Sequence, residues 1–205
     1  AVSGIAGRWI KTEDGGGIAM NFLVGGSSAL GKTQAVKALR DMMYSLSTKD
    51  MDFTQLHNTS KPSSHQRLLQ DISATPSQFC APDDAQSYMD TLLNPKDPRG
   101  AELRDFHLSL YDTSTASSRA DIQGSVAGKE RGDRSVWNPS LGLYFAITEE
   151  GMRDVLTTRN IQNGMMSRFQ VIYIEDKPRP KNLRPDPVRP DVPFMVNLMN
   201  LCNLA

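Results

Sequence analysis

The sequence predicts an α/β fold, a layered core around a mainly parallel central sheet. Two observations carry this. Apolar runs of strand length alternate along the chain with segments of helical spacing. One of the earliest of those runs leads directly into a glycine-rich turn and then a helix, the order in which a parallel βα unit is written.

The elements follow in chain order. "AVSGIAG" resembles the end of a small-residue helix, and residues 8–12 and 18–24 read as strands joined by the turn-rich "EDGGG". Val36, Leu39, Met43 and Leu46 recur at helical spacing, which predicts a helix over 33–47. "NTSKPSSHQ" is a loop ending in Ser64, the N-cap of a helix reaching about Ile72. "SQFCA" is a short strand, and "DDAQSYMDTLL" a helix opening on two acids. "AELRDFHLSLY" is amphipathic, with Leu103, Phe106 and Leu110 on one face. Residues 112–138 are polar, with a hairpin around "IQGSVAG". "LGLYFAIT" is a buried strand followed by a helix over 149–156, and "GMMSRFQVIYI" passes from a short helix into a last apolar strand.

From Lys177 the proline-rich "KPRPKNLRPDPVRPDVP" cannot hold a helix and favours extended backbone. It divides the chain into a domain over 1–177, a linker over 178–193 and the start of an apolar helical segment over 194–205. The chain starts at Ala1 without a methionine and stops in "NLMNLCNLA", which reads as a piece of a longer protein.

Composition narrows the function classes. The 23 basic and 23 acidic residues balance, which excludes a strongly basic nucleic-acid coat but leaves room for a local basic channel. No apolar run approaches the roughly 18 residues needed to span a bilayer, so no membrane partner is expected. Cys80 and Cys202 lie far apart without metal-type spacing, pointing to a reducing cytoplasm.

Residues 26–33 read Gly26, Ser27, Ser28, Ala29, Leu30, Gly31, Lys32, Thr33, which matches G-x-x-x-x-G-K-[ST]. Glycines let successive backbone N–H groups point at phosphate oxygens, Lys32 reaches the β- and γ-phosphates, and the Thr33 hydroxyl holds Mg²⁺. The helix that follows adds its positive N-terminal end. A strand before the loop and an amphipathic helix after it set this apart from an incidental glycine turn, and predict a three-layer P-loop NTPase that binds ATP with Mg²⁺.

Such an enzyme needs an acid at a neighbouring strand end to hold the metal, and a second carboxylate to polarise the attacking water. Asp83 and Asp84 follow the strand "SQFC" directly: Asp83 for the metal, Asp84 for the water. Capping the next helix is the alternative for both. Pro82 is unusual there because it removes a ladder donor. Thr148, ending "LYFAIT", is placed to orient the water or to cap "EEGM". Arg168, between a short helix and a strand, is either a salt-bridge residue or an arginine acting on a neighbour's γ-phosphate. Arg119, Lys129, Arg131 and Arg134, with Trp137 near the end, form either a solvated loop or a loop that tracks DNA phosphates.

Taken in order, "GRWI…IAMNFLVGGSSALGKTQAVKAL", "SSHQRLLQDIS…SQFCAPDDAQSYMDTLL", "FHLSLYDTS", "WNPSLGLYFAITEEGMRDVL" and "NGMMSRFQVIYIED" resemble the P-loop ATPase domain of plasmid, phage and prophage replication proteins. These are helicase-like ATPases long catalogued as a domain of unknown function and often fused or adjacent to primase modules. The resemblance covers most of residues 1–177. It implies Lys32 on the phosphates, Thr33 on the metal, the acidic pair at Asp83 and Asp84, an "LYD" segment at Leu110, Tyr111 and Asp112, and the polar strand end at Thr148. "SRF" also resembles the arginine-finger segment of hexameric AAA+ helicases, which implies a trans role for Arg168. The sheet would follow AAA+ or RecA-like strand order, and the order of motifs leans to the former. Asp84 stands where Glu is usual, and "SSAL" is less glycine-rich than many cradles; both bear on hydrolysis more than on binding.

Three functions fit these residues. The leading one is an ATP-hydrolysing replication motor, a ring-forming homo-oligomer, with a hexamer among the ring sizes, acting on single-stranded DNA alongside a primase or other replication proteins. The second is a nucleotide-gated oligomerisation or loader module with little turnover. A small-molecule kinase is the third, disfavoured because no arginine-rich lid is evident.

Overall fold

The computed structural model describes residues 12–13, 17–27, 32–46, 57–58, 62–82, 85–94, 96–115, 121–126 and 132–175. In chain order they form β1 (Asn21–Gly26), α1 (Lys32–Leu46), β2 (His57–Asn58), α2 (His65–Ala74), β3 (Ser77–Cys80), α3 (Ala85–Leu93) and α4 (Pro98–Thr115). Then come β4 (Asp121–Val126), β5 (Gly132–Trp137), β6 (Ser140–Ile147), α5 (Glu149–Val155), α6 (Thr158–Gln162), a 3-10 turn (Met166–Arg168) and β7 (Phe169–Ile174).

The architecture is α/β: a four-stranded parallel sheet in the order β3-β6-β1-β7, extended at the β3 edge by the two-residue β2. Asn21 of β1 is level with Leu143 of β6 and with Phe169 of β7, and Cys80 of β3 is level with Leu143. β4 and β5 form a separate antiparallel hairpin, Gln123 opposite Ser135.

Strand order sets the layers. The connection from β1 runs outward to β2, whereas the later ones step back across the sheet towards β7. Right-handed crossovers in opposite directions put their helices on opposite faces. Accordingly α2, α3, α4 and α5 form one layer, with α2 against α4, α3 against α4 and α3 against α5. α1 packs against β1 from the other face.

The alternation of "SLGLYFAI" explains the core. Leu141, Leu143, Phe145 and Ile147 are buried on the face of the helical layer, while Tyr144 and Ala146 are half-buried on the α1 face. Phe145 is fully buried between the Tyr88 ring, edge-on at 5.7 Å, and the Phe169 ring, stacked at 5.5 Å. Around them lie Leu23, Leu68, Leu69, Ile72, Met89, Leu92, Leu103 and Leu110.

Local rules mark the helix ends. Ser64 caps α2, its hydroxyl accepting from Arg67 N at 3.2 Å, and Thr157 caps α6 in the same way from Asn160 N at 3.3 Å. β3 ends at Cys80, two residues before Pro82, so the proline falls beyond the ladder it would have broken. The strand predicted over 18–24 begins three residues later, at Asn21, and residues 8–11 lie outside the described residues, as does the whole of 176–205.

Candidate functional site at the C-terminal edge of the sheet

In an open parallel sheet, ligands bind beyond the strand C-termini where connections from neighbouring strands leave in opposite directions. Here that point lies between β1, whose chain departs towards β2, and β6, whose chain crosses over β1 to β7. The glycine loop starts on one side of this crevice and Thr148 stands on the other.

β1 enters the loop through Gly25 and Gly26. Gly25 is level with Ile147 and lies under Met152 of α5; a Cβ built on it would come within 2.3 Å of Met152 Cε and 2.5 Å of Sδ. Gly26 adopts φ 155°, a conformation open mainly to glycine. Lys32, the first residue of α1, turns its side chain back over the loop: Nζ donates to Gly26 O at 2.6 Å and to Ser27 O at 2.7 Å. The ammonium is thus held against the two carbonyls that close β1. Ser28, Ala29, Leu30, Gly31 and the Thr33 side chain lie outside the described residues.

Tyr144 fixes the start of α1. Its hydroxyl, on the α1 face of β6, donates to Lys32 O at 2.8 Å, and burial raises its pKa. The sequence reading missed it, although its place opposite the apolar face of an alternating strand was a usable signal.

Thr148 follows β6 directly and caps α5, its Oγ1 accepting from Gly151 N at 3.1 Å. The cap is therefore present, and the hydroxyl keeps its own proton to donate. Close packing surrounds this helix start: a Cβ on Gly151 would come within 1.7 Å of Gln86 Oε1 from α3. Asp83 and Asp84 lie outside the described residues, between buried Pro82 and Ala85, the first residue of α3. Among the described residues, no group of three or more His, Cys, Asp or Glu is arranged to hold a metal ion.

Arg168 stands at the other end of the sheet. It ends the turn before β7, and Phe169 is level with Asn21 at the start of β1. Six strand residues separate that level from the loop, about 20 Å at a rise of about 3.3 Å per residue. Within its own chain Arg168 grips Asp112 of α4: Nη2 donates to Oδ1 at 2.8 Å and Oδ2 at 2.9 Å, and Nε to Oδ1 at 3.1 Å. Nη1 donates to Gly164 O at 2.8 Å, and the guanidinium lies 5.8 Å from the Tyr111 ring centre. Two segments distant in sequence, "LYD" and "SRF", therefore meet, and the salt-bridge role for Arg168 is present.

The hairpin over 121–137 exists as an antiparallel pair, with Arg134 opposite Gly124, and it feeds β6 through Asn138 at φ 47°. Arg119, Lys129, Arg131 and the Arg134 side chain lie outside the described residues, while Trp137 is largely exposed. Cys80 is buried behind the site, where desolvation and the Asp71 charge push its thiol up to about 12, an unreactive state at neutral pH. No helix among the described residues is long and apolar enough to cross a membrane.

Comparison with protein-family models, with curated proteins and with solved structures returned no match.

Proposed function

We propose that the chain is the ATP-binding and ATP-hydrolysing motor domain of a mobile-element DNA replication protein, working as a subunit of a ring-forming helicase. The observation that carries this reading is where the glycine loop sits. A G-x-x-x-x-G-K-T sequence opens at the switch point of a parallel sheet, with the lysine ammonium folded over its carbonyls. A glycine turn with an incidental lysine has no need of either feature.

Each residue then has a task. Bound ATP supplies a phosphoanhydride whose cleavage releases the γ-phosphate. Lys32 would meet the β- and γ-phosphates, the N-terminal end of α1 would add its positive charge, and Thr33 with Asp83 would hold the Mg²⁺. β6 lies between the cradle strand and the acid-bearing strand, so Thr148 ends between them, where its O–H can hold the attacking water while Asp84 polarises it. Arg168, about 20 Å from its own cradle, serves the γ-phosphate of a neighbouring copy. The β4–β5 hairpin is the element that would carry the basic residues to single-stranded DNA. One observation favours the second reading, a nucleotide-gated assembly or loader module: Asp84 is one methylene shorter than the usual Glu, which slows turnover more than binding.

Steady-state ATP hydrolysis with and without single-stranded DNA tests the choice. The motor reading expects DNA-stimulated turnover that disappears in Lys32→Ala. Tight ATP binding with negligible turnover in either condition selects the assembly module, and hydrolysis unaffected by Lys32→Ala removes both.

A further inference from the structure

We infer that Asp112 is a latch on Arg168, a carboxylate that occupies the arginine within its own chain and must release it before the arginine can engage a second copy. The inference rests on the proposed trans role of Arg168 and deepens it by naming what controls that residue.

A guanidinium has five N–H donors, and phosphate is best gripped by two of them at once. Arg168 makes three contacts to the Asp112 carboxylate through Nε and Nη2, and a fourth to Gly164 O through Nη1. A carboxylate in bidentate contact competes for the same fork that a phosphate needs, and it cancels the charge that would attract one. The pair also sits where an exchange is affordable. The Asp112 side chain is 59% exposed and Arg168 25% exposed, so water can take over the carboxylate without a buried charge being stranded. Gly164 is suited to the turn that presents the arginine: it lies at φ +82°, and its built Cβ would stand 3.0 Å from Arg168 Nη1.

A pair whose carboxylate is open to water is weak enough to be outbid by the triphosphate of a neighbour and strong enough to bias the resting chain. Assembly then becomes an exchange of partners: Arg168 leaves Asp112 as it meets the nucleotide on the next copy. The arginine is withheld in the isolated chain and delivered at the interface.

The test is nucleotide-driven assembly of the 205-residue chain, followed by sedimentation velocity across a titration of Mg²⁺ with a non-hydrolysable ATP analogue. Asp112→Asn keeps size and an acceptor but removes the charge, and is expected to lower the nucleotide midpoint for assembly by about two- to five-fold. Arg168→Ala is expected to raise it, and the double variant to behave like Arg168→Ala alone. A gain of assembly in Asp112→Asn is not an effect that damage to a structural tie would produce. An unchanged or raised midpoint in Asp112→Asn, beside a raised one in Arg168→Ala, overturns the latch and leaves the trans arginine standing. No effect of Arg168→Ala removes the trans role itself. If Asp112→Asn and the smaller Asp112→Ser both melt far below the unaltered chain, the pair is a structural brace and the latch falls.

Discussion

The Thr148 hydroxyl caps α5 and, in the proposed mechanism, would also hold water, and substitutions can separate the two roles. Its oxygen accepts from Gly151 N, so Thr148→Ala should cost about 0.5–2 kcal/mol of stability, read by urea unfolding. Aspartate caps equally well and suits a helix N-terminus, so Thr148→Asp should retain stability. If Thr148 holds the attacking water as proposed, the added carboxylate should nevertheless suppress turnover, whereas Thr148→Ser should keep both properties. A Thr148→Asp enzyme of full activity would remove Thr148 from the chemistry and leave it a cap. The helix opening at the glycine loop and the Thr148 cap were legible in the sequence because each belongs to a local pattern of fixed spacing. The Arg168–Asp112 pair was not, because its partners are 56 residues apart and meet only where the last turn of α4 reaches the turn before β7.

Helices α3 and α4 pack through features that carry no local signal. Gly100, in the first turn of α4, would place a Cβ 2.1 Å from the Thr91 carbonyl oxygen of α3. Since that obstacle is backbone, Gly100→Ala should displace α4 and cost about 1–3 kcal/mol, measurable as a lowered urea midpoint. His107 is fully enclosed on α4, its Nε2 2.6 Å from the Tyr88 hydroxyl of α3. Helical spacing from Leu103 and Leu110 aims it at the core, although a polar residue adds nothing to an apolar periodicity. Burial lowers its pKa from 6.5 to about 4. The folded state therefore keeps the ring neutral while the unfolded chain protonates near 6.5. Stability from this group is fully present above pH 6.5 and is lost as pH falls towards 4, by up to about 3 kcal/mol. Unfolding in urea at pH 7 and pH 4.5 should show the loss, and His107→Phe should flatten this part of the profile. An unaltered profile in that variant assigns the acid sensitivity elsewhere. By contrast β6 and α5 were readable in advance, because strand alternation and a Thr-Glu-Glu start are written locally. The two-residue β2 and the five-residue α6 are too short to leave a period.

At the scale of the whole molecule, the α/β class followed from the alternation of elements, whereas the strand order had to come from pairing. No spacing in the sequence says that β6 separates β3 from β1, yet that insertion brings Thr148 beside the C-terminal end of β1 and defines the crevice. The parallel run of β7 leaves Arg168 at the far end of the sheet, so in the proposed mechanism it would have to serve a cradle other than its own. In the head-to-tail ring proposed above, each interface would unite the cradle of one copy with the arginine of the next. All of this presupposes that the loop after β1 takes a triphosphate. Isothermal titration calorimetry of the chain with Mg²⁺ and ATP examines that point most directly. Saturable heat is expected for the unaltered chain, with affinity about ten- to a hundred-fold weaker in Lys32→Ala through loss of a charge-assisted phosphate contact. Absence of any heat of association in the folded, unaltered chain, or equal affinity in the two, would contradict the account.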